Sequence, residues 1–183
     1  MCGILGIINL ENQSRFGDKI LEKMTKTMTH RGPDAHDTYI DDKVALGHRR
    51  LSIIDLSMAG KQPMSDSTGN ILIVINGEIY NYMEIRQELA SRGYEFSTQT
   101  DTEVVLNAYL EYGINCLEKF IGMFAFAIYD KSKSIYCQRS IGNQAALLCF
   151  IRRETHFSVR NKSNIKLPRF PRHSKYDSNF KLS

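Results

Sequence analysis

Cys2 is the residue in this 183-residue chain with the most direct chemistry. A small side chain at position two permits removal of the initiator methionine, which would leave a free α-amine beside the Cys2 thiol. Such an amine has an ordinary pKa of about 7.7–8.0, so near neutral pH it can accept the thiol proton directly or through a water. The sequence therefore predicts a nucleophile and its base in one residue. The alternative is a small apolar residue at the start of a strand.

Asn76 and Gly77 follow an apolar run, and this dipeptide is the strongest short signal for a β-hairpin. The hairpin is disfavoured by residues 78–92, which have helical rather than alternating spacing. An Asn amide and a Gly N–H at the end of a buried strand can instead donate to a developing oxyanion, as acyl transfer requires. On the residues alone, both interpretations stay open.

Arg50 and Asp101 are charged residues that could hold a zwitterionic ligand. A guanidinium at a strand end suits bidentate binding of a carboxylate, although a pair such as Arg49 and Arg50 is usually solvated surface. Thr100 and Glu103 fit a helix capping box. This cap would put Asp101 in the first helical turn, where its carboxylate can also face a ligand ammonium.

The elements that must position these residues follow from hydrophobic periodicity. Apolar runs predict strands at 3–9, 44–54, 70–75, 122–129 and 134–137. Helical spacing predicts helices at 18–28, 82–92 and 101–112, with Gly93 and Gly113 as C-terminal stops. Strands flanked by helices in this order predict an α+β chain whose sheets pack together under helical layers.

Composition limits the class of protein. The length predicts one compact domain, and 42% hydrophobic with 24% charged residues is typical of a soluble globular protein. We expect no membrane span and no secretory signal, and hence a cytoplasmic location. The four cysteines, at positions 2, 116, 137 and 149, are too scattered for a metal or redox pair, so we expect reduced thiols and no metal site.

Charge is unevenly distributed along the chain. Residues 1–150 carry 15 Lys/Arg against 18 Asp/Glu, whereas residues 151–183 carry nine against two. This basic tail has neither the interleaved aromatic residues of an RNA-binding segment nor an amphipathic period. The sequence therefore predicts no nucleic-acid partner.

Seven blocks in one order resemble the N-terminal glutaminase domain of the class II glutamine amidotransferases, most closely that of the glutamine-hydrolysing asparagine synthetases. The resemblance covers residues 2–137. The blocks are Cys2-Gly3-Ile4, His30-Arg31-Gly32-Pro33-Asp34, Gly47-His48-Arg49-Arg50-Leu51-Ser52-Ile53, Gly60-Lys61-Gln62-Pro63, Asn76-Gly77-Glu78-Ile79-Tyr80-Asn81, Asp101-Thr102-Glu103 and Gly122-Met123-Phe124-Ala125-Phe126.

The resemblance implies a four-layer αββα sandwich of the N-terminal nucleophile hydrolase type, incomplete at its C-terminal end. It also implies hydrolysis of L-glutamine to glutamate and ammonia through a γ-glutamyl thioester on the cysteine. By position, the implied roles are Cys2 as nucleophile, Asn76 and Gly77 as oxyanion hole, Arg50 for the α-carboxylate, Asp101 and the Glu78 backbone for the α-ammonium, and Leu51 and Ile53 as pocket lining.

The glutaminase step would need no cofactor, whereas ATP and magnesium would belong to a synthetase domain that we expect to be absent here. Whether a separate synthetase chain or a homo-oligomer is the partner stays open. Two alternatives also remain, namely a non-catalytic remnant and the glutaminase domain of another class II amidotransferase.

Residues 138–183 depart from the family pattern. Shifting the reading frame by one base over residues 142–149 permits the family block Gly-Ile-Lys-Pro-Leu-Tyr-Tyr, and the same offset over 155–163 permits Ile-Leu-Ala-Ser-Glu-Ile-Lys-Ala. We therefore hypothesise that residues 138–183 are translated out of frame and form a disordered basic tail. It predicts the loss of about two strands, an uncovered edge on the strand at 122–129, and a poorly folded product with little activity.

Overall fold

The computed structural model describes residues 2–9, 18–52, 57–132, 135–139, 146–151 and 154–159. The strands are β1 Gly3–Asn9, β2 Ala35–Ile40, β3 Val44–Arg50, β4 Met64–Ser65, β5 Ile71–Ile79, β6 Gly122–Asp130, β7 Ile135–Arg139, β8 Ala146–Ile151 and β9 Glu154–Val159. The α-helices are α1 Asp18–Lys26, α2 Tyr82–Ser91 and α3 Asp101–Tyr112, and 3-10 helices span Met58–Gly60 and Gly113–Lys119.

The strands form two sheets whose described pairings are all antiparallel. The first has the order β2-β3-β1-β9-β8 and the second has the order β4-β5-β6-β7. In the second sheet β5 and β6 pair along their whole length, from Ile71 opposite Asp130 to Ile79 opposite Gly122. This long pairing carries the Asn76-Gly77 dipeptide through the body of a strand, so the hairpin interpretation is wrong.

Three apolar clusters separate four layers. Alternate residues of β1 point to opposite faces of its sheet, so Leu5 and Ile7 pack under α1 while Ile4 and Ile8 pack against the second sheet. The outer face of the second sheet packs against α2 and α3, where Leu89 and Val104 are fully buried. The order helix, sheet, sheet, helix is the αββα sandwich expected from the resemblance.

Helix α3 begins and ends as the sequence predicts. The Thr100 hydroxyl accepts the Glu103 N–H at 3.3 Å, and Gly113 ends the helix with a φ of 58° that favours glycine. The prediction missed β2, because residues 30–34 read as a turn and the short strand after it has little apolar content. Its pairing with β3 is what makes it a strand.

The described part of the tail differs from the expectation of disorder. Strand β7 covers the edge of β6, pairing Tyr129 with Ile135 and Ala125 with Arg139. Strand β9 pairs with β1, and β8 pairs with β9, so the first sheet gains two strands. The physical reason is that residues 146–151 are almost entirely apolar and residues 154–159 alternate, a pattern that fits the open edge of β1.

Within the described ranges, no helix is both long enough and apolar enough to cross a membrane.

Candidate active site

Cys2 lies immediately before β1, at the end of the layer between the two sheets. Cys2 and Ile4 are two residues apart in an extended segment, so their side chains point to the same face. The Ile4 side chain packs against the second sheet. The thiol contacts the backbone that follows β3: the Leu51 N–H lies 3.4 Å from Cys2 Sγ, and Sγ lies 3.7 Å from the Leu51 carbonyl oxygen. The thiol is therefore fixed at the strand end that also carries Arg50.

Burial raises the pKa of the Cys2 thiol above its ordinary value. The Leu51 backbone and the Arg50 charge oppose this rise, and the Asp101 carboxylate adds to it. Two conclusions follow. The thiol is protonated near neutral pH and needs a base to become a nucleophile. In addition, Arg50 and Asp101 are both close enough to Cys2 to act on its charge.

The loop before β2 holds the Cys2 backbone from the other side. Arg31 Nε donates to the Cys2 carbonyl oxygen at 2.9 Å. Asp34 is linked to the end of β3 by its own N–H, which donates to the Arg50 carbonyl, and by its carboxylate, which accepts the Ser52 N–H at 2.8 Å. Gly32 packs so closely on the Arg49 backbone that a side chain there would overlap it.

Arg50 is the last residue of β3, and its guanidinium lies against the 3-10 helix Met58–Gly60. Nη1 donates to the Ser57 carbonyl oxygen at 2.5 Å, and only 6% of the residue is exposed. Gly60 makes room for the guanidinium, because a Cβ on Gly60 would overlap Arg50 Nη2 and lie 2.8 Å from Thr100 Cγ2. A guanidinium carries five N–H donors in a planar fork, a geometry that matches a carboxylate.

Asn76 and Gly77 lie in the second half of β5. Leu72 and Val74 share a strand face with Asn76 and pack between the sheets, so the Asn76 side chain faces the same layer. Gly77 has a φ of 133°, and a Cβ there would overlap the Met123 carbonyl and come within 2.5 Å of Phe124 Cα. Only glycine fits at this position.

Asp101 joins the end of β5 to the start of α3. Its Oδ2 accepts the Ile79 N–H at 3.1 Å, and 7% of the residue is exposed. Burial raises the pKa of Asp101, the Ile79 N–H opposes that rise, and the neighbouring Glu78 charge adds to it. A ligand ammonium beside this carboxylate would stabilise its charged form.

Glu103 secures the loop that leads into Asp101. One carboxylate oxygen accepts the Ser97 N–H at 2.8 Å, and the other accepts the Thr98 N–H at 2.7 Å. The cap therefore differs from a capping box, in which the glutamate reaches back to the N-cap N–H. Here the Thr100 N–H donates to Thr98 Oγ1 instead, at 3.2 Å.

His48 is a fully buried imidazole two residues before Arg50 on β3. Burial lowers the pKa of His48 to about 4, the Ile75 backbone opposes the fall, and the Arg50 charge adds to it. The ring is therefore neutral at physiological pH. Among the described residues, no cluster of His, Cys, Asp and Glu could hold a metal ion.

The structure thus brings Arg50, Leu51 and Asp101 close to Cys2 at one end of the layer between the sheets. Asn76 and Gly77 lie on β5 of the second sheet. The register of β5 turns the Glu78 carbonyl toward Gly122 of β6, where a Cβ would overlap it. Ile53 lies outside the described residues. The catalytic and binding roles of all these residues remain predictions.

Sequence reasoning assigned no role to Arg31, Asp34, Gly60 or Gln62. Their signal was present, since all four stand in the blocks that carry the resemblance. Their contacts join segments that are distant along the chain, so periodicity could not reveal them.

An αββα sandwich with a cysteine immediately before its first strand is the fold of the N-terminal nucleophile hydrolases. The fold is similar to that of the glutamine phosphoribosylpyrophosphate amidotransferase of Bacillus subtilis complexed with ADP and GMP, with a TM-score of 0.72 at 19% identity over 86% of this chain and 41% of that one. A model of the glutamine amidotransferase domain matches residues 1–147. The chain belongs to this glutamine amidotransferase family.

Two relatives, both from Bacillus subtilis (strain 168), are glutamine-hydrolysing asparagine synthetases. Asparagine synthetase 1 is 42% identical over 137 residues, which cover 74% of this chain. Asparagine synthetase 2 is 38% identical over 176 residues, which cover 94% of this chain. The chain spans only 22% and 23% of the lengths of these two relatives.

Proposed function

We propose that this chain hydrolyses L-glutamine to glutamate and ammonia through a γ-glutamyl thioester on Cys2. The observation that carries the proposal is the convergence on one thiol of a buried guanidinium and a buried carboxylate. Arg50 and Asp101 both act on the charge of Cys2, and each is less than a tenth exposed. A cation and an anion that both lie near one thiol match the α-carboxylate and α-ammonium of an amino-acid substrate.

Thioester formation begins with Cys2 Sγ attacking the glutamine Cδ carbonyl while the free α-amine of Cys2 takes the thiol proton. The Gly77 N–H and the Asn76 side-chain amide would donate to the oxyanion. Collapse of the tetrahedral intermediate breaks the C–N bond, and the ammonium of Cys2 returns the proton to the leaving nitrogen. Ammonia departs and the acyl group stays on sulfur.

Hydrolysis of the thioester repeats these steps with water as the nucleophile. The Cys2 amine accepts one water proton, and the oxygen attacks the same carbonyl carbon. Collapse expels the thiolate, which recovers the proton, and glutamate leaves. The α-amine has to serve as the base in both halves because the buried thiol is protonated, and the neutral His48 ring is held inside the core.

The released ammonia needs an acceptor. The two relatives are named as asparagine synthetases, so we propose that the ammonia serves amidation of aspartate. ATP and magnesium would act in a synthetase domain beyond the residues described here. Ammonia release without any acceptor can be measured directly and does not depend on this step.

The test is ammonia release from glutamine by the full 183-residue chain and two cysteine variants. Cys2→Ala should abolish release. Cys116→Ala is the matched control, since burial raises the pKa of Cys116 to about 12 and leaves it inert. Intact-mass analysis should show loss of Met1 in the active protein. Equal release by wild type and Cys2→Ala would overturn the proposal.

A further inference from the structure

Strand β4 is only two residues long, and the β5 edge beyond it lacks a backbone partner in the described part of the chain. Met64 pairs with Ile73 and Ser65 pairs with Leu72. If the register continued, Gln62 would stand opposite Ile75. The described backbone pairing ends at Met64, so the ladder does not reach Ile75.

The Gln62 side chain replaces the missing backbone partner. Its Oε1 accepts the Ile75 N–H at 2.7 Å, and its Nε2 donates to Thr102 Oγ1 at 3.0 Å. Gln62 is 6% exposed and Thr102 is 3% exposed, so both bonds lie in the protein interior. Buried hydrogen bonds of this kind fix a strand because their loss leaves polar groups unsatisfied.

These contacts bracket the candidate oxyanion donor. In an antiparallel ladder alternate N–H groups point to the same edge, so the N–H groups of Ile75, Gly77 and Ile79 share the edge away from β6. Gln62 accepts the first and the Asp101 carboxylate accepts the third. The Gly77 N–H lies between them on this edge, and the proposed oxyanion would be its acceptor.

We propose that Gln62 is a positioning residue for the oxyanion hole, an inference that rests on the proposed glutamine hydrolysis. Its amide holds β5 two residues before Gly77 and, through Thr102, links that strand to the same helix start that presents Asp101. Gln62 thereby fixes the distance between the Gly77 N–H, which would donate to the oxyanion, and the Asp101 carboxylate, which would accept from the ammonium. Gln62 does not touch the substrate.

The kinetic test uses Gln62→Met, which keeps the side-chain length and removes both hydrogen bonds. We expect kcat for ammonia release to fall about tenfold, less than the roughly 100- to 1,000-fold loss on removing an oxyanion donor outright. Thr102→Val should also lower kcat, whereas Thr102→Ser, which keeps the hydroxyl, should have a kcat near that of wild type. Tyr109→Phe is the control, because it removes a buried hydrogen bond to Asp130 at the opposite end of the sheet.

Amide hydrogen exchange supplies a readout that does not need activity. Gln62→Met should speed exchange at Ile75 and Ile79, whose N–H groups are hydrogen-bonded, whereas Tyr109→Phe should leave these amides unchanged. Unchanged exchange at these two positions, or a kcat loss no larger than that of the control, would overturn the positioning role. If the wild-type chain releases no ammonia, the proposed function fails, and the exchange result still decides whether Gln62 holds the strand.

Discussion

Gly60 controls where the Arg50 guanidinium can lie, and Gly60→Ala therefore isolates the carboxylate contact of the candidate site. The added Cβ would overlap Arg50 Nη2 and lie 2.8 Å from Thr100 Cγ2. The end of an arginine side chain can move at small cost, so we expect a folded protein with a displaced guanidinium. Hydrogen bonds to charged groups contribute about 1.5–3 kcal/mol, which predicts a rise in the KM for glutamine of roughly 10- to 150-fold.

The assay is ammonia release over a range of glutamine concentrations, together with thermal unfolding of each variant. Gly69→Ala is the matched control, because a Cβ on Gly69 meets nothing within 4 Å while its φ of 70° disfavours alanine. That control should lose about 1 kcal/mol of stability and keep its KM. If Gly60→Ala keeps the wild-type KM, Arg50 does not hold the substrate carboxylate as proposed.

Three further predictions address charge, pH and the tail. Asp101→Asn should raise the KM for glutamine by about 30-fold or more, since removing one buried charge partner costs at least ~2 kcal/mol. Asp66→Asn, in a surface turn, is the control and should leave the KM unchanged. His48 has a pKa of about 4 in the folded protein against an ordinary 6.5, so as the pH falls the unfolded chain binds the proton first. The free energy of unfolding should therefore fall by about 3 kcal/mol between pH 6.5 and 4. In urea unfolding, His48→Leu should show a weaker dependence of this free energy on pH, and the same dependence as wild type would contradict the prediction. Sequencing of the coding DNA should show a one-base shift near codon 138, and an in-frame reading would instead leave β8 and β9 as ordinary strands of the sheet.

Local signals in the sequence determined the elements that carry the candidate site. The cap at Thr100 and the glycine at 113 fixed α3 to the residue, because both act on backbone groups within a few positions. The apolar run at 3–9 gave β1, and its position behind Cys2 made the thiol a candidate from type and place alone. The resemblance then supplied roles for Arg50, Asn76, Gly77 and Asp101.

Tertiary structure alone decided which distant segments meet. Gln62 reaches Ile75 and Thr102 across 13 and 40 positions, and Arg31 reaches Cys2 across 29. The addition of β9 to the edge of β1 likewise depends on an available strand edge, which no periodicity records. Sequence patterns report forces between neighbours along the chain, whereas these contacts depend on burial and hydrogen bonding between residues that only the folded layers bring together.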